Sequence, residues 1–504
     1  MSVRDKTAIG AGLAPARPPR AIAPGERIHV VGAHGAGASA AALLAVWAGA
    51  DVDGCDPGGP SQYAPALEAV RVHVASAHDA SHVLGPRRPA RLAVTKALTA
   101  IDPDNPELHA AREAGVPLEP WQQVVADAAH GRLLMGVAGT HGKSTTSGWL
   151  VHTLVGVGAD PGAFVGALLP AGITGIGVAA TARKGAGEAF VVEADEYAGN
   201  FDPYLPAIIV LTSAEWDHPD VFADREAVIS AFEAWIRRAA EGRAADARQP
   251  VLIANTGDAG VATLVGRLAD WPGRIVRTAV DPAPGTADLA AHIEAADPDG
   301  TAIRVELDGA AHAVRLTTAG RHNVSNALGV IGACLAAGHA IEPALAALAT
   351  FPGVGRRLEC KGEVAGVIVY DDYGHHPTAI RETLMAVRQR APGRRVWAVY
   401  EPLTYHRTAA LLEDFAAVLA TADAVAIADI WAGRDTDTTV TSAGRLAQAV
   451  TRHNPGIAVA APGSVEDTAR WLSRVVEDGD VVLVMGGGRS YRIGELLLEH
   501  LARR

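Results

Sequence analysis

The stretch Arg132-Leu133-Leu134-Met135-Gly136-Val137, running into Ala138-Gly139-Thr140-His141-Gly142-Lys143-Ser144-Thr145-Thr146, decides how this chain is read. An apolar strand meets a glycine turn, a lysine and a hydroxyl-rich helix start that continues from Ser147 to Val155. Such a turn aims backbone N–H groups at phosphate, adds the lysine's charge, and leaves the following Ser or Thr to ligate magnesium. Gly139, Thr140, Gly142, Lys143, Ser144 and Thr145 are the expected ATP contacts, and Ser144 is also an expected metal ligand. The Walker pattern places a glycine where this chain has Val137, so the loop is a variant of that pattern.

Two more strands downstream are expected to open on the same crevice, because ligands in α/β sheets sit at the carboxyl ends of strands. Ala189-Phe190-Val191-Val192 ends in Glu193-Ala194-Asp195-Glu196, one of whose carboxylates is expected to hold metal. Ala207 to Thr212 ends in Ser213-Ala214-Glu215-Trp216-Asp217-His218. Asp195, Glu196 and Asp217 also read as loop or helix-capping residues, whereas Glu193 and His218 stand out as functional candidates. Gly320-Arg321-His322-Asn323-Val324-Ser325-Asn326 opens an alanine-rich helix. Asn323 and Asn326, three apart, share a face and either read a nucleotide together or leave Asn323 as a cap.

Upstream, Arg27 to Val31 runs into Gly32-Ala33-His34-Gly35-Ala36-Gly37 and a helix, then into a second strand, Asp51 to Asp56. The glycine order is not that of the dinucleotide fingerprint, but the turn is still an anion site at a helix N-terminus. Arg91 to Thr95 reads as the third strand. After the Gly/Pro-rich hinge Phe351 to Gly355, Val367 to Tyr370 delivers Asp371-Asp372-Tyr373-Gly374-His375-His376-Pro377-Thr378. Further strands precede Glu401 to Thr408, Asp429 and Gly486 to Tyr491. The paired acids and histidines of the 371–378 segment lack metal-ligand spacing and read as substrate or nucleotide contacts.

At 504 residues the chain allows about three domains. The strand–helix alternation makes it α/β: a Rossmann-like N-terminal domain (27–131), a P-loop-type central ATPase domain (132–352) and a Rossmann-like C-terminal domain (353–504), with residues 1–26 read as a flexible tail. A formal net charge of −12 excludes an overall positive field for nucleic acid or anionic membrane. No stretch reaches a membrane span. Cys55, Cys334 and Cys360, far apart and odd in number, argue against a disulfide framework and a zinc site, and place the protein in the cytoplasm.

Taken in order, GTHGKST, EADE, EWDH, GRHNVSN, the Arg356-Arg357 hinge and DDYGHHP resemble the Mur ligases of peptidoglycan synthesis, from about Ile28 to the C-terminus. DDYGHHPT and YEPLTYHRT are most similar to the branch that joins L-alanine to UDP-N-acetylmuramate. The resemblance implies an ATP-driven amide synthesis through an acyl phosphate, with ATP and Mg²⁺ required. It implies Lys143, Glu193 and His218 as catalytic, the last two with Ser144 on metal, and Asn323, Asn326, Arg357 and Asp372 on ATP. It further implies Gly32, Gly35, Ala36, Gly37 and Asp56 on the UDP substrate, and His375, His376 and Arg407 near the amino acid, with Arg407 paired to its carboxylate.

Ser144 replaces the family's usual Thr, His34 crowds the glycine turn, Thr212-Ser213 replaces Thr-Asn, and the YHRT segment lacks one basic residue. Asp195-Glu196-Tyr197 and Arg356-Arg357-Leu358-Glu359 also resemble the recycling branch that attaches a whole murein tripeptide. A non-catalytic nucleotide-binding protein of the same fold is the third reading. A folate polyglutamate synthase lacks the N-terminal UDP-binding domain that Ile28 to Asp56 implies. The hinge implies domain closure.

Overall fold

A computed structural model describes residues 9–241, 248–433, 435 and 437–504. Among the described residues, apolar β-branched runs ending in glycine turns build three separate sheets. The first has five parallel strands in the spatial order His73–Ala75, Asp51–Cys55, Arg27–Val31, Arg91–Val94, Leu118–Pro120. The short, half-exposed His73–Ala75 is the third strand in chain order; it carries too little apolar pattern to stand out, so Arg91–Val94 is the fourth.

The central sheet has ten strands. Its middle is parallel and holds Leu133–Ala138 between Ile208–Leu211 and Ala189–Ala194, all three buried along most of their length. One margin continues into antiparallel pairing through Leu289–Asp297, Gly300–Leu307 and Ala310–Leu316. The helices Lys143–Gly156 and Arg321–Ala336 pack together on this sheet around Trp149, Leu150, Val330 and Ile331. The third sheet has six strands; Glu359–Val364 pairs antiparallel with Val367–Asp372 and the others run parallel. Among the described residues no helix is long and apolar enough to cross a membrane.

Residues 9–26 are not a loose tail. Arg17 bridges Glu119 and Asp127 at 2.8 and 2.7 Å. Both acids also face Arg91, whose side chain is 2% exposed. An arginine that completes a buried charge network fixes the segment that carries it, because leaving those carboxylates short of a partner would be costly. Residues 1–8 of the expected tail lie outside the described residues.

Candidate active site

The phosphate loop is held open by its neighbours. Gly139 and Gly142 have φ of +133° and +80°, conformations that disfavour any side chain. A Cβ on Gly142 would sit 2.6 Å from Asn326 Oδ1, so the loop and the asparagine helix touch with no room to spare. Ser213, in the position of the family's asparagine, accepts the N–H of His141 at 2.8 Å, and Thr140 donates to the Glu215 carbonyl at 3.0 Å. The serine therefore still ties the loop to the next strand end.

Lys143 Nζ rests 2.9 Å from Glu196 Oε2 and 3.6 Å from Asp195 Oδ1. Burial works against its charge, but the two carboxylates outweigh it and the lysine pKa is raised. Glu193 stands apart from this pair. It accepts from Ser144 Oγ at 2.9 Å and from the backbone N–H of Gly166 at 2.6 Å, and burial raises its pKa despite Arg357 nearby. A Cβ on Gly166 would come within 2.7 Å of that carboxylate, which makes Gly166 a site residue. No sequence motif marks it, since its part depends on the pairing of Gly162–Leu169 with the strand that carries Glu193.

Asp195, Glu196 and His218 bring ligand atoms within 4.8 Å of one another. His218 is held there in the left-handed region, φ +55°, a conformation rare for a residue with a Cβ and typical of positions where function dictates geometry. Its N–H donates to Asp217 Oδ1 at 2.6 Å. Two oxygen-rich places thus flank Lys143: the Ser144–Glu193 pair and the Asp195–Glu196–His218 group. Their hard donors fit magnesium, which takes carboxylate and hydroxyl oxygens.

The C-terminal domain closes the crevice from the other side. Arg356 and Arg357, adjacent in sequence, do different work. Arg356 turns into its own domain, onto Asp371 at 3.2 Å and the Gly486 carbonyl at 2.8 Å. Arg357 crosses to the phosphate loop and donates to Ser144 Oγ at 2.9 Å. Asp372 accepts the N–H groups of Leu358 and Gly374 at 2.8 and 2.7 Å, so both carboxylate oxygens anchor loop backbone, including the turn that aims Arg357.

The two histidines also separate. His376 caps the helix Pro377–Arg390, its Nδ1 accepting the Thr378 N–H at 3.3 Å while Nε2 faces the Trp216 carbonyl at 3.3 Å. It fastens the two domains and also borders the same space as His375 and Arg407, where the amino acid is expected. His375 donates Nδ1–H to the Tyr373 carbonyl at 2.8 Å, which leaves the lone pair on Nε2, and burial pushes its pKa down to about 3. Arg407, 5% exposed, forms a buried ion pair with Asp217. The expectation that it waits for a substrate carboxylate omitted this protein partner, 190 residues away in sequence.

These groups line two connected spaces. A cavity of about 580 Å³ is bordered by Lys143, Glu193, His218, His375 and Arg407. A second, of about 360 Å³, is bordered by Gly142, Thr145, Asn323, Asn326 and Asp372. Asn323 is not the helix cap; Gly320 is, and the Asn323 amide donates to Ala319 O at 2.7 Å and its carbonyl accepts from Asn326 at 3.2 Å.

In the N-terminal glycine turn, Gly32 has φ +77° and Gly35 precedes the helix as its cap. Ala36 borders a cavity of about 840 Å³ shared with Arg356, Arg357 and Lys361. Asp56 accepts the N–H groups of His34 at 3.0 Å and Gly58 at 2.9 Å, which shapes the turn. At Gly37 a Cβ would enter the Trp121 ring at 2.1 Å, so close packing against Trp121 is by itself enough to exclude a side chain there.

Three α/β sheets meeting at one phosphate loop define a class, and the chain belongs to the Mur ligase family. The family's catalytic domain matches residues 27–132, its middle domain 137–334 and its glutamate ligase domain 356–488. UDP-N-acetylmuramate--L-alanine ligase of Mycobacterium sp. (strain JLS) is 36% identical over 488 residues, covering 95% of this chain and 96% of that protein. The crystal structure of UDP-N-acetylmuramate-alanine ligase MurC from Thermotoga maritima superposes with a TM-score of 0.76 at 24% identity, over 95% of this chain and 99% of that one. A murein peptide ligase from Psychrobacter arcticus superposes with a TM-score of 0.69 at 25% identity, over the same shares.

Proposed function

We propose that this protein is the ATP-dependent ligase that joins L-alanine to UDP-N-acetylmuramate, a cytoplasmic step of peptidoglycan synthesis. The observation that carries the reading is the single cavity bordered by Lys143, Glu193 and His218 from the central domain and by His375 and Arg407 from the C-terminal domain. The full-length similarity to L-alanine ligases supports it, and the three unpaired cysteines suit a reducing compartment.

In this reading the carboxylate of UDP-N-acetylmuramate attacks the γ-phosphorus of ATP, giving an acyl phosphate and ADP. The alanine nitrogen then attacks the acyl carbon, and phosphate leaves from a tetrahedral intermediate. Lys143 leaves Glu196 to neutralise the β- and γ-phosphates, while the backbone of Gly139 to Gly142 cradles them. Asn323, Asn326 and Thr145 border the nucleotide's space, and Arg357 brings a second cation to the transferring phosphoryl group.

Ser144 with Glu193, and Asp195 with Glu196 and His218, would hold magnesium, which would supply positive charge against the phosphates and the substrate carboxylate. His375, whose Nδ1–H is committed to the Tyr373 carbonyl, accepts at Nε2 a hydrogen bond from the alanine nitrogen and orients it toward the acyl carbon, while the nitrogen's protons pass to solvent. Arg407 shares itself between Asp217 and the alanine carboxylate. The UDP moiety lies along Gly32, Gly35, Ala36 and Gly37, above the turn shaped by Asp56. Closure about Phe351 to Gly355 brings Arg357 to Ser144.

Phosphate release from ATP with UDP-N-acetylmuramate tests this, comparing L-alanine, the L-Ala-D-Glu-meso-diaminopimelate tripeptide and no acceptor. Turnover with L-alanine is expected. Turnover with the tripeptide instead would move the protein to the murein peptide branch, and silence with both would make it a non-catalytic binder.

A further inference from the structure

Against the N-terminal glycine turn lies a buried cluster that the ligase reaction does not use. His29 comes from the first strand, Cys55 from the end of the second, His82 from the short helix Ser81–Leu84 and Glu107 from the first turn of Pro106–Ala114. Their ligand atoms lie within 4.8 Å of one another. His29 is 2% exposed and Cys55 and Glu107 are fully buried. Glu107 Oε2 is 3.0 Å from Cys55 Sγ, Oε1 is 3.2 Å from His29 Nε2, and His82 Nδ1 also contacts Oε1. His78 Nδ1 is a fifth group, 3.1 Å from both Cys55 Sγ and Glu107 Oε2.

We propose that this cluster is a structural zinc site, with Cys55 Sγ, His29 Nε2, His82 Nδ1 and a Glu107 oxygen as ligands to one Zn²⁺. Metal–ligand bonds of about 2.0–2.3 Å in a tetrahedron set neighbouring ligands about 3.3–3.7 Å apart. Cys55 Sγ and His29 Nε2 would open from Glu107 by a few tenths of an ångström, and His82 Nδ1, in closer contact with Oε1, would draw back further. Thiolate, imidazole and carboxylate together suit zinc, whereas magnesium and calcium prefer oxygen alone. One thiolate and one carboxylate also cancel the ion's two charges in a site where only His82 reaches toward solvent.

The surroundings point the same way. His29 Nδ1 is 2.7 Å from Asp53 Oδ1, and Arg27 holds the other oxygen of Asp53 at 2.8 Å. A carboxylate on the far nitrogen of a ligating histidine fixes its ring and tautomer, so that Nε2 faces the metal with its lone pair. Without metal, His29 lies between Asp53 and Glu107, and although burial opposes its charge, those two carboxylates hold its pKa up at about 9. Zinc binding replaces the Cys55 thiol proton and takes the lone pair of His29 Nε2. The Cys55 carbonyl accepts the N–H groups of Gly32 and Ala33 at 2.8 and 3.0 Å, so the ion would brace the strand ends from which the glycine turn springs.

The test uses the untagged full-length protein, grown with added zinc and passed through gel filtration in excess magnesium, with metal content read by mass spectrometry. One zinc per chain is expected, lost in Cys55→Ser and in His82→Ala. Asp53→Asn is expected to weaken zinc affinity about 10–100-fold in chelator competition. Cobalt in place of zinc is expected to give a thiolate-to-metal charge-transfer band that persists in Cys360→Ser and Cys334→Ala. Absence of bound zinc in the wild type, a cobalt spectrum without that band, or zinc retained in Cys55→Ser and His82→Ala overturns the proposal and leaves a protonated histidine network. Should Cys55→Ser fail to fold, the wild-type spectrum and the two other cysteine variants decide.

Discussion

Arg407 and Asp217 form an ion pair between the C-terminal and central domains, with each side chain only 5% exposed. A pair so buried fixes how the two halves of the crevice meet, because either charge left alone in that environment is expensive. Asp217→Ala or Arg407→Ala is expected to cost about 3–5 kcal/mol of stability, measured by urea unfolding. The double variant should recover part of that loss, and additive losses would show that the pair is not coupled.

Lys143→Ala is expected to lower kcat at least about 100-fold, since the phosphates lose their cation. It should also lower Tm, because Glu196, 2% exposed, loses the partner now 2.9 Å away. Lys143→Ala with Glu196→Gln should restore Tm and leave turnover absent. Activity close to that of the wild type in either variant would remove Lys143 from the phosphate site.

Gly37→Ala drives a methyl group into the Trp121 ring and should destabilise the N-terminal domain by about 1–3 kcal/mol. Combining it with Trp121→Leu should return most of the stability. Thermal unfolding of the three variants checks this, and a Gly37→Ala protein as stable as the parent would show that the helix shifts freely away from Trp121.

His376 predicts a pH dependence. It is 7% exposed, and burial together with nearby His141 pushes its pKa down to about 4, Glu215 opposing. The unfolded imidazole, near pH 6.5, takes up a proton that the folded one refuses. Stability from this group is therefore present above about pH 6.5 and lost as pH falls toward 4. In His376→Gln the slope of Tm against pH across that window should flatten; an unchanged slope would assign acid sensitivity to other groups.

Much of the site was legible because a phosphate loop is local. Within eight residues, Gly139 to Thr146 carry the turn, the cation and the hydroxyl, so composition and spacing suffice. The carboxyl ends of strands at Glu193 and His218 follow from apolar runs that stop at charged residues. His73–Ala75 was not legible, since three half-buried residues carry no periodicity. Nor was the anchoring of residues 9–26, which rests on Arg17 meeting Glu119 and Asp127 about a hundred positions later.

By itself, then, the sequence determined the three α/β units, the phosphate loop and the residues gathered around it, because turns, caps and strand ends are written in contiguous residues. Tertiary structure alone decided which charge meets which: Lys143 with Glu196, Arg357 with Ser144, Arg407 with Asp217. It also decided that Gly37 yields to Trp121, that His376 fastens while His375 stays available, and that Cys55 meets His29, His82 and Glu107. Those partners lie tens to hundreds of residues apart, and only the packing of sheet against helix sets the direction in which each side chain points.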